Sequence, residues 1–259
     1  MNFSQKYRIF YSIALLSVPI SIYFAITQSL WFWLIFGFVY VKVLNFIALQ
    51  IGLHRYFSHN SFKAKPIVRY LLAVSSILTG HGSPISWATH HLHHHKHSDQ
   101  EADLHSPKHG FFHTVLLWPI KTYNYFNIDK NITPTPKHLV KDKLVMFIHK
   151  NYFLIWTLIL LVSFAIGFKF ALFFILMPAG LSLLHGNIVT NYLSHVNLPG
   201  SYRNYHMNDQ SWNNKWIQLF QWGEGLHNNH HKNMAAYNQA MMPHEFDIAA
   251  WVIDRYLKV

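Results

Sequence analysis

The sequence predicts an all-α integral membrane protein, four transmembrane helices carrying a polar helical cap crowded with histidine. Three observations predict it. Hydrophobic residues fill 51% of the 259 positions and charged residues only 12%, about half the charged share of an ordinary soluble domain. The apolar residues gather into four long runs arranged as two pairs. Six histidines stand within residues 87–97, namely His90, His91, His93, His94, His95 and His97. Aromatics reach 17%, with nine Trp and 14 Tyr, and these two side chains settle at membrane interfaces.

Residues 1–8 are polar, with Lys6 and Arg8, and residues 9–26 follow as an almost unbroken apolar run. That run is long for a signal peptide and lacks a small-residue cleavage site, so it reads as a first span. A break at Thr27-Gln28-Ser29 leads into residues 30–53, long enough for a hydrocarbon core about 30 Å thick. Lys42 interrupts this second span. A lysine at mid-membrane must snorkel, face the bundle interior or find a partner, and Asn45 and Gln50 give its helix one polar face. Residues 67–78 are apolar but fall short of the roughly 20 residues a span needs, so they read as a re-entrant or interfacial helix. The prolines of Asn131-Ile-Thr-Pro-Thr-Pro136 mark a surface loop. Residues 152–168 and 170–189 form the second hydrophobic pair, joined tightly at Gly167 and Lys169. From Asn191 onward the chain is polar, and residues 1–259 read as one domain.

Four spans settle sidedness. With the N-terminus inside, the chain returns inside after the second and fourth helices, so His54, the central run and His195 all fall on one side. The loops on the other side carry only Lys169, and the lysine-rich segments flank the histidines. The positive-inside rule makes the histidine side and both termini cytoplasmic, here in a bacterial inner membrane.

Lys and Arg number 21 against 10 Asp and Glu, a formal charge of +11. A basic protein meets nucleic acid, anionic lipid or an anionic substrate. No nucleic-acid recognition motif is present, which leaves the membrane surface and a phosphate-bearing substrate. The absence of cysteine excludes thiolate-ligated zinc, iron–sulfur and rubredoxin-type centres built from this chain.

The histidines fall in a pattern. Neutral imidazole is the commonest side-chain metal ligand, and His91, His94 and His95 stand at i, i+3, i+4, which places three rings on one helix face. Gly223-Glu-Gly-Leu-His227-Asn-Asn-His230-His231 repeats that spacing. His54-Arg-Tyr-Phe-Ser-His59 ends the second span, and Asn191-Tyr-Leu-Ser-His195 sets an amide and an imidazole one turn apart. The spacing of five between His54 and His59 is about 140° out of register on an ideal helix, so the helix ends or bends between them, or the two rings serve different metals. One such pair is more often a surface feature than a site. Together these segments offer nine imidazoles on one membrane face, more than one tetrahedral zinc needs, and two metals sharing them is the natural reading. The fold class is therefore four transmembrane helices with a cytoplasmic helical cap holding a di-metal site.

The three histidine clusters, with Trp87 leading the second and Gly223-Glu-Gly225 leading the third, resemble the histidine boxes of integral-membrane fatty acid desaturases, in their acyl-CoA/acyl-lipid delta-9 branch. The resemblance covers roughly residues 54–247 and the four-span layout. It implies a di-iron enzyme that uses O2 and two electrons to remove two hydrogens from adjacent methylenes and leave a cis double bond. Carried over by position, the ligands are His54, His59, His91, His94, His95, His195, His227, His230 and His231, with Asn191 holding metal through water. Ligating rings donate their second N–H to outer acceptors, for which Asp99, Glu101, Asp103 and Glu224 are candidates. The family holds its acyl chain in a narrow tunnel, and aromatics of the second and fourth spans, with Trp87, are candidates for its wall. Vertebrate acyl-CoA desaturases carry an Arg-Asp pair before the second box, associated with coenzyme A. This chain has Thr89-His90, like members that act on acyl lipids, which puts acyl-CoA in doubt.

The remaining histidines have quieter expectations. His90 and His93 point away from the face of His91, His94 and His95. His97, His105, His109 and His113 read as outer or interfacial groups. His185, about 15 Å from His195 at 1.5 Å per residue, reads as a hydrogen-bonded bundle residue. No His-Pro-Gly-Gly haem motif is present, so electrons come from a separate partner, a ferredoxin or cytochrome b5-like protein with its reductase. The rival readings are a di-iron membrane hydroxylase and, from another class, a His-rich metal transporter, toward which only Lys42, Asn45 and His185 lean.

Overall fold

In the computed structural model, which describes residues 1–121 and 136–259, the chain begins with α1 (Phe3–Thr27) and α2 (Trp31–Ser58). The shorter α3 (Pro66–Leu78) and α4 (Pro84–His97) follow, then α5 (Lys143–Ile166) and α6 (Phe168–His195). Small helices α7 (Lys215–Gln221), α8 (His227–Lys232) and α9 (Ile248–Val252) complete the cap. Four of these, α1, α2, α5 and α6, are long and apolar enough to cross a membrane. The expected loop at Asn131 lies outside the described residues.

The bundle is built around α6, the most buried of the four, while α5 is the most peripheral. Ile9, Ile13, Leu16 and Ile20 on α1, and Leu154, Leu158 and Leu161 on α5, are exposed at helical spacing and form lipid-facing stripes. Two glycines let backbones touch. A Cβ on Gly180 would sit 2.1 Å from the Ala14 carbonyl oxygen, and one on Gly37 would sit 2.8 Å from that of Phe173. Small residues at such crossings are how membrane helices associate where burial from water gives no drive. The aromatics of α2 and α6 pack on one another, Trp33 and Phe36 against Phe174 at ring-centroid separations of 5.5 and 4.9 Å. These contacts hold the two spans together, and of the aromatics expected at a tunnel wall Trp87 lines the cavity described below.

Lys42 and Asn45, two of the polar residues of the second span, find partners. Lys42 Nζ donates to the Phe220 carbonyl at 2.8 Å and to Gln221 Oε1, so a cation meets the carbonyl end of α7. Asn45 Oδ1 accepts from Ser182 Oγ at 2.5 Å, which turns the polar face of α2 toward α6. Residues 67–78 sit in α3 with Leu72 and Ile77 against the protein and Ile67, Leu71 and Val74 exposed, the disposition of an interfacial helix. Gly167 breaks α5 from α6, and Lys169 falls in the first turn of α6.

Local winding aims the histidines. Ser83 caps α4, its hydroxyl accepting from Ser86 N at 3.2 Å with Pro84 at the first helical position, a start signal that fixes the phase of the histidine run. From Asn45 to Ser58 α2 is a π-helix, and His59 N donates to His54 O at 3.2 Å. Bonds from i to i+5 put residues five apart on successive turns. The 140° conflict expected from α winding therefore disappears: the helix does not end between the two histidines. A small ribbon, β1 (Ser201–Tyr202) against β2 (Asn213–Asn214), and a bridge from Asn213 to Leu226 set the start of α8. Below it, Arg55 and Asp247 form a buried ion pair at 3.0 Å, and Arg55 Nη2 donates to the Gly223 carbonyl at 3.3 Å. The pair ties α2 to the start of α9, and the bond to Gly223 ties it to the loop before α8.

Candidate metal centre

Among the described residues the nine box imidazoles divide into two groups. His54, His59, His91, His95 and His230 form one, and His94, His195, His227 and His231 the other, the candidate ligand atoms of each lying within 4.8 Å of one another. In the first group Nε2 of His54 is 2.9 Å from that of His230, His59 is 2.8 Å from His91, and His95 is 2.9 Å from His230. In the second, His227 and His195 approach at 2.9 Å, and His231 Nε2 is buried with no hydrogen-bond partner. Neutral imidazoles each have one ring nitrogen free to offer a lone pair, and ring nitrogens that converge this closely are an arrangement a central cation takes up. The donor set therefore fits a metal in each group.

The far side of the second group is held by carboxylates. His94 Nδ1 donates to Asp103 Oδ2 at 2.9 Å, His195 Nδ1 to Asp99 Oδ2 at 2.8 Å and His231 Nδ1 to Asp209 Oδ2 at 3.0 Å. Such a bond fixes the tautomer and directs Nε2 inward. Burial alone would raise these three acids, but hydrogen bonds and charge from the histidines outweigh it and hold all three below the ordinary carboxylate range. Burial, then neighbouring imidazoles, pushes His91, His95, His227 and His230 well below the usual histidine value. The same causes bring His59 to about 3. These rings are neutral at pH 7 and their lone pairs are available.

A cavity of about 40 Å³ lies beside the groups, walled by Leu49, Gln50, Trp87, Trp118, Asn187 and Glu224 among others. Trp87 stacks on His91 with centroids 4.5 Å apart. Asn191 also faces this cavity and donates to Asn187 Oδ1 at 3.3 Å.

With this geometry in place, comparison with known proteins names the family. The family profile described as fatty acid desaturase matches residues 5–247. The chain belongs to the fatty acid desaturase family. The delta-9 acyl-lipid desaturase 2 of Arabidopsis thaliana is 31% identical over 82% of this chain and 68% of its own length. The sn-1 stearoyl-lipid 9-desaturase of Synechocystis sp. is 27% identical over 86% of this chain and 68% of its own. The icosanoyl-CoA 5-desaturase of Limnanthes douglasii is 28% identical over 80% and 57%. As a member of the family the protein is an integral-membrane oxidoreductase that acts on acyl chains.

Two of the four acids expected beside ligating rings of this desaturase sit elsewhere. Glu101 is exposed, because the turn after α4 points it outward. Glu224 pairs with His185 at 2.6 Å and not with a box histidine. Asp209 takes the place that spacing alone had no means to assign, since it is 22 residues from His231. Sequence reasoning also passed over Asn228 and Asn229, between the ligand positions of the third box. Asn228 Oδ1 accepts from the backbone of Asn204 and Tyr205 at 3.1 and 2.9 Å, and Asn229 Oδ1 accepts from Asn213 Nδ2 at 2.9 Å. Their position inside the box was the available signal.

The other histidines support this shell. His90 bonds the Ser86 carbonyl at 3.0 Å, packs on Trp118 and faces the cavity. His93 donates to the Ala102 carbonyl at 3.0 Å, and His97 packs on it. His109 and His113 bond the carbonyls of Asp103 and Leu104 at 2.7 and 2.9 Å, and His105 Nδ1 lies 3.7 Å from Asp103. They brace the turn that carries Asp99 and Asp103.

Proposed function

We propose that this chain is an O2-dependent, di-iron fatty acyl desaturase that introduces a cis double bond, at the delta-9 position, into a saturated chain carried on a membrane lipid. The observation that carries the reading is the division of nine imidazoles into groups of five and four beside one cavity. His54, His59, His91, His95 and His230 hold one iron. His94, His195, His227 and His231 hold the other, with Asn191 reaching it through water.

Bound iron, with O2 and two electrons, supplies the oxidising power to take hydrogen from adjacent methylenes, which no acid–base side chain can do. The protein's own groups prepare the place. Asp99, Asp103 and Asp209 hold three rings in one tautomer, Trp87 closes a wall of the cavity, and burial keeps bulk water from the reacting centre. The lipid carrier is supported by the named substrates of the Arabidopsis and Synechocystis relatives. It is supported too by the position that carries Arg-Asp in acyl-CoA members: Thr89 is buried with its hydroxyl on the Ile85 carbonyl, and His90 is buried against Trp118. Electrons come from a ferredoxin or cytochrome b5-like donor and its reductase, which the basic cytoplasmic face steers. The protein, one domain over residues 1–259, sits in a bacterial inner membrane with both termini and all boxes in the cytoplasm. The transporter reading loses its footing, because Lys42, Asn45 and His185 are tied to neighbours within the fold.

Metal analysis of the purified protein tests the reading. Two irons per chain, with activity lost on chelation and restored by ferrous iron, is the expected result. A zinc load with full activity and no iron dependence overturns it.

A further inference from the structure

Five acidic side chains are buried among the described residues, and four have an evident task. Asp99, Asp103 and Asp209 each take the Nδ1–H of a box imidazole, and Asp247 pairs with Arg55. Glu224 does neither. Its carboxylate stands in the wall of the cavity, where Oε2 accepts from His185 Nε2 at 2.6 Å and Oε1 accepts from Thr190 Oγ1 at 3.4 Å. His185 belongs to neither imidazole group. Its side chain is 13% exposed against 3% for Glu224, so the ring is the less enclosed member of the pair.

The reaction proposed above, on which this inference rests, has a need that such a pair meets. It balances as R–CH2–CH2–R′ + O2 + 2 e− + 2 H+ → R–CH=CH–R′ + 2 H2O. Two C–H bonds break and a carbon–carbon π bond forms; the O–O bond breaks and four O–H bonds form. The substrate is oxidised by two electrons, the iron-protein donor supplies two more, and water supplies two protons. Those protons must reach a buried centre. Three box imidazoles of the second group, His94, His195 and His231, are poor carriers, because their Nδ1–H groups are held by carboxylates and their Nε2 atoms face inward.

We propose that His185 and Glu224 form the relay that delivers solvent protons to the cavity. The ring accepts a proton on one nitrogen and releases one from Nε2 to Glu224 Oε2, and the carboxyl presents it to the cavity. The charged and titratable groups around the pair are Lys42 on α2, which acts on Glu224 by charge, His81, which does so on His185, and Arg55, bonded to the carbonyl of Gly223.

The test uses the full chain in lipid nanodiscs with a saturated acyl lipid and a one-electron iron-protein donor, as wild type, Glu224→Gln, Glu224→Asp and His185→Gln. Glu224→Gln is expected to keep two metals per chain and to slow double-bond formation about 100-fold, as loss of acid–base assistance does. It should also enlarge the solvent deuterium isotope effect and raise the O2 consumed per double bond. Glu224→Asp recovers part of each. In the zinc-loaded protein, which makes no product, a carboxyl infrared band removed by Glu224→Gln should shift in His185→Gln. Wild-type rate, coupling and isotope effect in Glu224→Gln overturn the relay. Loss of metal from both Glu224→Gln and His185→Gln overturns it as well, since the pair is then a brace. An iron-loaded wild type that consumes no O2 removes the reaction reading, and the relay with it, whereas failure of the relay alone leaves wild-type turnover intact.

Discussion

The carboxylates behind the rings decide how firmly the second imidazole group is held. Asp209, which bonds His231 Nδ1, is the informative one to change. Asp209→Asn is expected to weaken metal binding about 10–100-fold, the usual effect of removing an outer partner, as read by competition with a chelator. Glu101→Gln, at an exposed side chain, should leave the same titration unmoved. Asp247→Ala acts differently, because it strands the Arg55 guanidinium, 1% exposed, without its anion. Breaking one partner of a buried pair costs about 3–5 kcal/mol, and a large fall in the thermal unfolding midpoint should report it. A near-neutral result would mean that Gly223 alone satisfies Arg55. Neither Asp209 nor Asp247 was legible in the sequence as a partner: each lies far from the group it meets, with no period or motif between. The convergence of rings from α4 and α8 was legible, because i, i+3, i+4 spacing is a local property of the helix.

At the scale of elements, spacing misled wherever the winding was not α. His54 and His59 are out of register on an ideal helix, yet the π-helical end of α2 stacks them and brings both into one group of five. Nothing in the side-chain pattern marks that change of winding, since it is stabilised by packing against α4 and by tertiary bonds such as Arg55 to Asp247. The caps behave more simply. Asp142 starts α5 by accepting from Leu144 N and Val145 N at 3.0 and 3.1 Å, and Arg69 of α3 pairs with it, Nε to Oδ2 at 3.0 Å. Burial would raise this carboxyl, but the Arg69 hydrogen bond and those backbone bonds prevail and hold it below the usual value. A depressed folded value means that its stabilisation is complete above the unfolded value of about 3.9 and is lost as pH falls through the folded one. Unfolding midpoints measured from pH 7 downward should therefore drop below about pH 4, and Asp142→Asn should lower the midpoint at pH 7 while flattening that drop. An unchanged acid profile in Asp142→Asn would show that the clip from α3 to α5 contributes nothing.

For the whole molecule, four apolar runs were enough to read the number of spans, because composition and length alone decide whether a helix belongs in a bilayer. Their ends were not legible. The last helix continues beyond its apolar run to His195, because the cap buries polar turns that hydropathy assigns to water. The cysteine-free chain makes sidedness directly measurable. A single cysteine at Lys169 should react with an impermeant thiol reagent added outside intact cells, while one at Lys232 should react only after the membrane is opened; the reverse pattern would invert the topology.

The account as a whole joins those helices to one chemistry, and the fatty acid profile of a host making the protein tests it most directly. New cis monoenoic chains with the double bond at position 9, esterified in membrane lipid and absent when His94→Ala is inserted in the membrane at the same level, are the predicted result. Hydroxy fatty acids without a new double bond, or a profile that His94→Ala reproduces unchanged, would contradict it.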